Sequence, residues 1–158
     1  MSQNIAQILL QSLEKKNQIL DDIIRENALQ EEILKQEELD MDALDASLDR
    51  IGEFTEMLEK LDDGFEAVYD KVRTEIMTNK SRYQTEISRM QNDIQQITDK
   101  VVKINAARMR NQMRADAQFK KQAQKIRKAM SKTKASQNYY NSMNKLHYVS
   151  PQFYDSKK

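Results

Sequence analysis

Residues 76–104 read IMTNKSRYQTEISRMQNDIQQITDKVVKI. Within them Ile76, Tyr83, Ile87, Met90, Ile94, Ile97, Val101 and Ile104 follow one another at alternating four- and three-residue steps, with Lys80 the one interruption. That spacing is a heptad seam. One column holds Lys80, Ile87, Ile94 and Val101, and the other Ile76, Tyr83, Met90, Ile97 and Ile104. A helix with so narrow an apolar stripe builds contacts with other helices, not an active site.

The composition points the same way. Hydrophobic residues make up 39% of the 158-residue chain and charged residues 32%, where ordinary globular domains are roughly 45–50% apolar. There is little material for a compact core. Two glycines, one proline and no tryptophan remove most of the vocabulary of strands and tight turns, while Leu, Ile, Glu, Lys, Gln and Ala supply that of helices. The expected fold is all-α: an elongated antiparallel helical bundle or coiled coil of three main helices, with a long third helix and a flexible C-terminal tail. The bundle should occupy residues 1–130 and the tail residues 131–158.

The first helix is expected over residues 3–38. Its apolar residues Ile5, Ile8, Leu9, Leu13, Ile19, Leu20, Ile23, Ile24, Ile33 and Leu34 make a face wider than a coiled-coil seam, so it should touch more than one partner helix. Lys16 and Asn27 interrupt that face, and each can extend a polar tip to its edge. The run Glu37-Glu38-Leu39-Asp40-Met41-Asp42 reads as a short turn, with Asp40 or Asp42 able to cap the next helix and Asp45 suited to its positive end. A tight turn makes the second helix antiparallel to the first.

Leu44, Leu48, Ile51, Leu58 and Leu61 carry the second helix, and two breaks compete for its end. Asp62-Asp63-Gly64 joins two poor helix formers to a glycine, which divides the chain into helices over residues 42–61 and 65–130. The rival notes that Phe65, Tyr69, Val72 and Ile76 continue the heptad through Gly64, and places the break at Thr78-Asn79-Lys80-Ser81, which gives two hairpin arms of matching length. Local propensity favours the first.

Beyond Ile104 the helical composition continues, but the seam thins to a methionine-rich stripe of Met109, Met113, Phe119, Ala123, Ile126 and Met130. Methionine is flexible and polarizable, a side chain suited to holding varied helices. Capture of a client helix and homodimerisation both fit this stripe. Residues 131–158 lose all periodicity and hold the single proline, yet Tyr139, Tyr140, Tyr148, Phe153 and Tyr154 are half of the chain's aromatics. They either fold back on the helices or form a short partner-binding motif, which is the reading preferred here.

Charge is distributed unevenly. Residues 1–66 contain 18 acidic and 6 basic residues, whereas residues 100–134 contain 12 basic residues and one acid, Asp116. The basic run invites a nucleic-acid reading. It holds a single aromatic, Phe119, instead of an interleaved set, and the acidic half of the same molecule would repel a polyanion, so a solvated helix complementing the acidic arms is the better account. No nucleic-acid partner is expected.

Nothing in the chain assembles a reaction centre. There is no cysteine, hence no disulfide or thiolate chemistry. His147 is the sole histidine, and Gly52 and Gly64 lie too far apart for a phosphate loop. No enzyme activity, cofactor or metal is expected. No stretch approaches the ~20 apolar residues of a membrane span, and residues 1–20 lack the apolar run of a secretory leader. Membrane insertion is not expected, and the cytoplasm is the simplest location.

A long amphipathic helix over residues 5–38, the acidic turn Asp40-Met41-Asp42-Ala43-Leu44, a leucine-rich return helix and a long heptad helix together resemble the FlgN/FliT class of flagellar export chaperones. Leu61-Asp62-Asp63-Gly64-Phe65-Glu66-Ala67-Val68-Tyr69, Asn138-Tyr139-Tyr140-Asn141 and Pro151-Gln152-Phe153 are similar to segments of some members. The resemblance implies a cytoplasmic helical protein of flagellum assembly, without enzymatic activity. It would bind a helical segment of a late flagellar substrate, a hook-associated or cap protein, and hand it to the type III export gate and its ATPase. The partner-binding surface is then expected at Ile87, Met90, Ile94, Ile97, Val101, Ile104, Met109, Met113 and Phe119. The resemblance implies a gate contact through a tail tyrosine, for which Tyr139 and Tyr140 are the nearest counterparts, and the tail motif as a whole is expected at Tyr139, Tyr140, Tyr148 and Phe153. The basic third helix and the tail are longer here than in that class. A structural coiled-coil adaptor, its seam filled by a second copy, is the alternative.

Overall fold

The computed structural model describes residues 2–130. The chain is all-α, with α1 (Ser2–Lys35), α2 (Met41–Thr78) and α3 (Gln84–Met130). The expected tail, with Tyr139, Tyr140, Tyr148 and Phe153, lies outside the described residues. At 34, 38 and 47 residues the helices are about 51, 57 and 70 Å long at 1.5 Å per residue.

Their directions follow from the cross-helix pairs. Lys16 with Asp62, Glu26 with Arg50 and Gln30 with Ser47 run in opposite senses, so α2 is antiparallel to α1. Glu14 with Arg89, Asp21 with Lys100 and Glu31 with Arg114 climb together, so α3 runs parallel to α1. The wide apolar face of α1 is what permits this arrangement, because both other helices pack on it. No Cα of α2 lies within 8 Å of a Cα of α3.

The break at Asp62–Gly64 is corrected: α2 is continuous through Gly64 and ends at Thr78, and the third helix starts at Gln84 rather than near residue 65. Burial decides it. Val72 and Ile76 are 5% and 4% exposed, and Phe65 and Tyr69 join the same core in part. Each such side chain contributes about 1.5–3 kcal/mol when fully buried, against about 1 kcal/mol for one glycine in a helix. Gly64 itself is exposed, has no positive φ, and a Cβ there would touch nothing. Gly64→Ala is therefore expected to stabilise the protein by about 0.5–1 kcal/mol, read as a raised urea midpoint. Destabilisation would mean that the helix is interrupted there.

The turns are closed by polar groups. Asp40 is the N-cap of α2, its side chain accepting from the Ala43 N–H at 3.1 Å. Asn79 ends α2, with its N–H and its side chain both donating to the Glu75 carbonyl. Tyr83 then fills the corner: it is 0% exposed, and its hydroxyl lies 3.3 Å from Glu75 Oε1. α1 has no glycine at its end, and α3 supplies the missing cap. Gln118 Nε2 donates to the Leu34 and Gln36 carbonyls at 2.8 and 2.6 Å, and Lys121 Nζ to the Glu37 carbonyl at 3.0 Å. These side chains satisfy carbonyls that a helix end leaves unpaired.

Two apolar clusters result. The larger joins Ala6, Leu9, Leu10, Leu13, Ile19, Leu20 and Ile23 of α1 to Val72 and Ile76 of α2 and to Tyr83, Met90 and Ile97. The smaller holds Leu34, Leu44, Leu48, Ala115 and Phe119 around the α1–α2 turn. Between them lies a polar layer. Asn27 is 4% exposed, so it does not reach the edge of its face, and its carbonyl accepts from Asn111 Nδ2 at 2.9 Å. Lys16 does reach out, to Asp62 at 2.6 Å.

Candidate functional site

The heptad of α3 presents its two columns to different surroundings. Tyr83, Met90 and Ile97 are buried in the larger cluster, and Ile104 is half-buried beside them. The other column faces the space between α3 and α2. Ile87 is half-buried, while Ile94 and Val101 are 47% and 39% exposed. Because α1 holds α2 and α3 apart, this column has only part of its neighbours from its own chain. Part of the seam is thus core and part is open wall.

The open part lines a cleft. Near the α2–α3 turn it widens to a recess of 530 Å³ walled by Phe65, Tyr69 and Met77 of α2 and by Ile87, Met90 and Ile94 of α3. Phe65 and Tyr69 stack on each other, with ring centroids 5.9 Å apart and planes within 10°, so this wall is broad and rigid. Further along, Leu48, Ile51 and Leu58 of α2 and Val101 and Ile104 of α3 surround a second recess of 220 Å³, to which α1 contributes Leu20 and Ile23. A row of apolar side chains on two walls is the receptor geometry for one face of an amphipathic helix.

Polar groups give the cleft a direction and a sign. Arg108 lines the second recess, and its Nε is buried without a hydrogen-bond partner, a donor that an incoming carbonyl or carboxylate would satisfy. Beside Phe65 and Tyr69, α2 exposes Asp63, Glu66 and Asp70, against Lys71 and Arg73, while Asp62 is paired with Lys16 of α1 and Lys80 lines the recess itself. Over its whole length α2 carries eleven acidic and four basic residues, so the helix forming this wall is acidic.

The expected partner-binding residues separate into three groups. Ile87, Ile94, Val101 and Ile104 belong to the cleft. Met90 and Ile97 are 8% exposed and Phe119 is 6% exposed, so these are core rather than free surface, although Met90 also touches the first recess. Met109 and Met113 are 63% and 72% exposed and lie away from the cleft, on the outside of α3. The seam does not thin out beyond Ile104: the column of Ile97 and Ile104 continues seven residues at a time to Asn111 and Gln118, both buried. Those two were missed because the stripe was followed by hydrophobicity instead of by period. Counting in sevens would have found them.

From the basic run, Lys100 and Arg114 pair with Asp21 and Glu31 of α1 at 3.0 and 2.8 Å, and Arg89, ahead of that run, pairs with Glu14 at 3.4 Å. Among the described residues no group of three or more His, Cys, Asp or Glu side chains is placed to hold a metal ion, and no helix is long and apolar enough to cross a membrane. Comparison with protein-family models, with curated proteins and with solved structures gives no match to this chain.

Proposed function

We propose that this protein is a helix-holding chaperone that takes an amphipathic helical segment of another protein into the α2–α3 cleft. Given its resemblance to the FlgN/FliT class, the client is a late flagellar substrate, a hook-associated or cap protein, delivered in the cytoplasm to the export gate. The observation that carries the reading is the separation of α2 from α3 with apolar side chains on both facing walls. A client helix would supply the layer that Ile94 and Val101 lack and complete a four-helix arrangement. The acidic α2 wall favours a client helix with lysine or arginine along one flank, and Arg108 provides one buried donor for it.

The test is a titration of the full chain with a synthetic amphipathic helical peptide carrying a leucine face and a lysine flank, followed by calorimetry. Saturable one-to-one binding with a negative heat-capacity change is expected, because apolar area is buried. No binding, or a tight dimer by sedimentation that excludes the peptide, would favour the adaptor reading over the chaperone.

A further inference from the structure

The outer face of α3 carries a second apolar surface that the cleft does not use. Val102, Ala106, Met109, Met113 and Ala117 recur at steps of four, three, four and four and therefore share one side of the helix. All five are exposed, Val102 at 64%, Met109 at 63% and Met113 at 72%. Val102, Met109 and Met113, with Ala106 between the first two and Ala117 after the last, give prominent apolar groups with room beside them, the profile into which another helix fits its own side chains.

The charges around this stripe differ from those facing α1. Lys103 and Arg110, one heptad apart, run along one flank, and Lys120 lies at its far end. All three are exposed and make no ion pair among the described residues, whereas Lys100 and Arg114 are engaged by α1 carboxylates. Ala106 also borders a recess of 320 Å³ between α1 and α3, whose α3 lip bears Lys103, Arg110 and Arg114. Apolar stripe, recess and unpaired cations thus lie side by side. Along α3 the nearest acids are Asp99 before the stripe and Asp116 on its opposite flank, and Glu31 of α1, which lines the recess, is paired with Arg114.

We infer that this face docks an amphipathic helix of a different protein that carries carboxylates along one flank. The apolar stripe would cover the partner's leucine face while Lys103 and Arg110 meet its acidic flank. A second copy in antiparallel contact would set the Lys103–Arg110 flank against itself, which is repulsive. A bare polyanion would gain nothing from three exposed apolar side chains. The inference is independent of the cleft: the two surfaces lie on different sides of α3 and favour opposite flank charges.

Two synthetic helical peptides with the same leucine face, one with a glutamate flank and one with a lysine flank, separate the possibilities. They are titrated by fluorescence anisotropy into the full chain in its Ile94→Ser/Val101→Ser form, which disables the cleft. The glutamate peptide is expected to bind more tightly than the lysine peptide, by about tenfold in low salt and less as salt rises. Lys103→Glu/Arg110→Glu should invert that preference, and Met109→Ser/Met113→Ser should abolish binding of both peptides with circular dichroism unchanged. Equal binding of the two peptides, no binding of either, a dimer abolished by Met109→Ser/Met113→Ser, or retention of a DNA duplex in place of the peptide would each overturn the inference.

Discussion

Tyr83→Ala is expected to destabilise the protein by about 3–5 kcal/mol, the range for removing a large buried aromatic. The side chain is wholly buried at the α2–α3 turn, in one cluster with Leu9, Leu10, Val72 and Ile76. It is the element that fixes where α3 leaves α2 and against what. Total stabilities of single domains are only about 5–15 kcal/mol, so the variant should melt far below the parent or be unfolded at 25 °C. Tyr83→Phe separates the two contributions. It removes only the hydroxyl contact with Glu75 and should cost about 0.5–1.5 kcal/mol. A loss below about 1 kcal/mol for Tyr83→Ala would mean that this corner is not a packed joint.

Ile94→Ser/Val101→Ser is expected to have the opposite profile, with little change in stability and a large loss of client binding. Both side chains are only half covered in the free protein, so truncation sacrifices little of the core. If a client helix covers them, each loses about 1.5 kcal/mol of burial on binding. Together that weakens a lysine-flanked amphipathic peptide about a hundredfold. Calorimetry reads the affinity and urea unfolding the stability. The informative control is Met90→Ser/Ile97→Ser on the buried column, where stability should fall sharply. Unchanged affinity in Ile94→Ser/Val101→Ser would remove the cleft as the client site.

How far the sequence reveals this arrangement depends on the kind of signal. Periodicity over Tyr83–Ile104 identified a seam helix, and the width of the apolar face on α1 correctly required two neighbours. The acidic and basic halves are joined by α1–α3 ion pairs, and parallel helices explain why they match in order. Propensity failed at Gly64, because a local cost of about 1 kcal/mol is outweighed by several side chains buried beyond it. Hydrophobicity failed at Asn111 and Gln118, because a position buried against a neighbour's backbone wants a donor, and Gln118 donates to the Leu34 carbonyl in the last turn of α1 and to the Gln36 carbonyl just beyond it. The same bias grouped Met109 and Met113 with Phe119, although the first two point outward and the third lies in the smaller cluster. Which half of the seam is open could not be read from the chain, since it depends on α1 standing between the other two helices.

The most direct test of that half-open seam uses the absence of cysteine from the chain. Single substitutions Ile94→Cys and Val101→Cys, compared with Met90→Cys and Ile97→Cys, would be timed for reaction with a water-soluble thiol reagent at several protein concentrations. The first pair should react close to the rate of an exposed control, and the second at least about tenfold more slowly because it must wait for local opening, at every concentration. Equal protection of both columns, or protection of Cys-substituted Ile94 and Val101 that grows with protein concentration, would show the cleft closed by the chain itself or by a second copy, and would contradict a site held open for another protein.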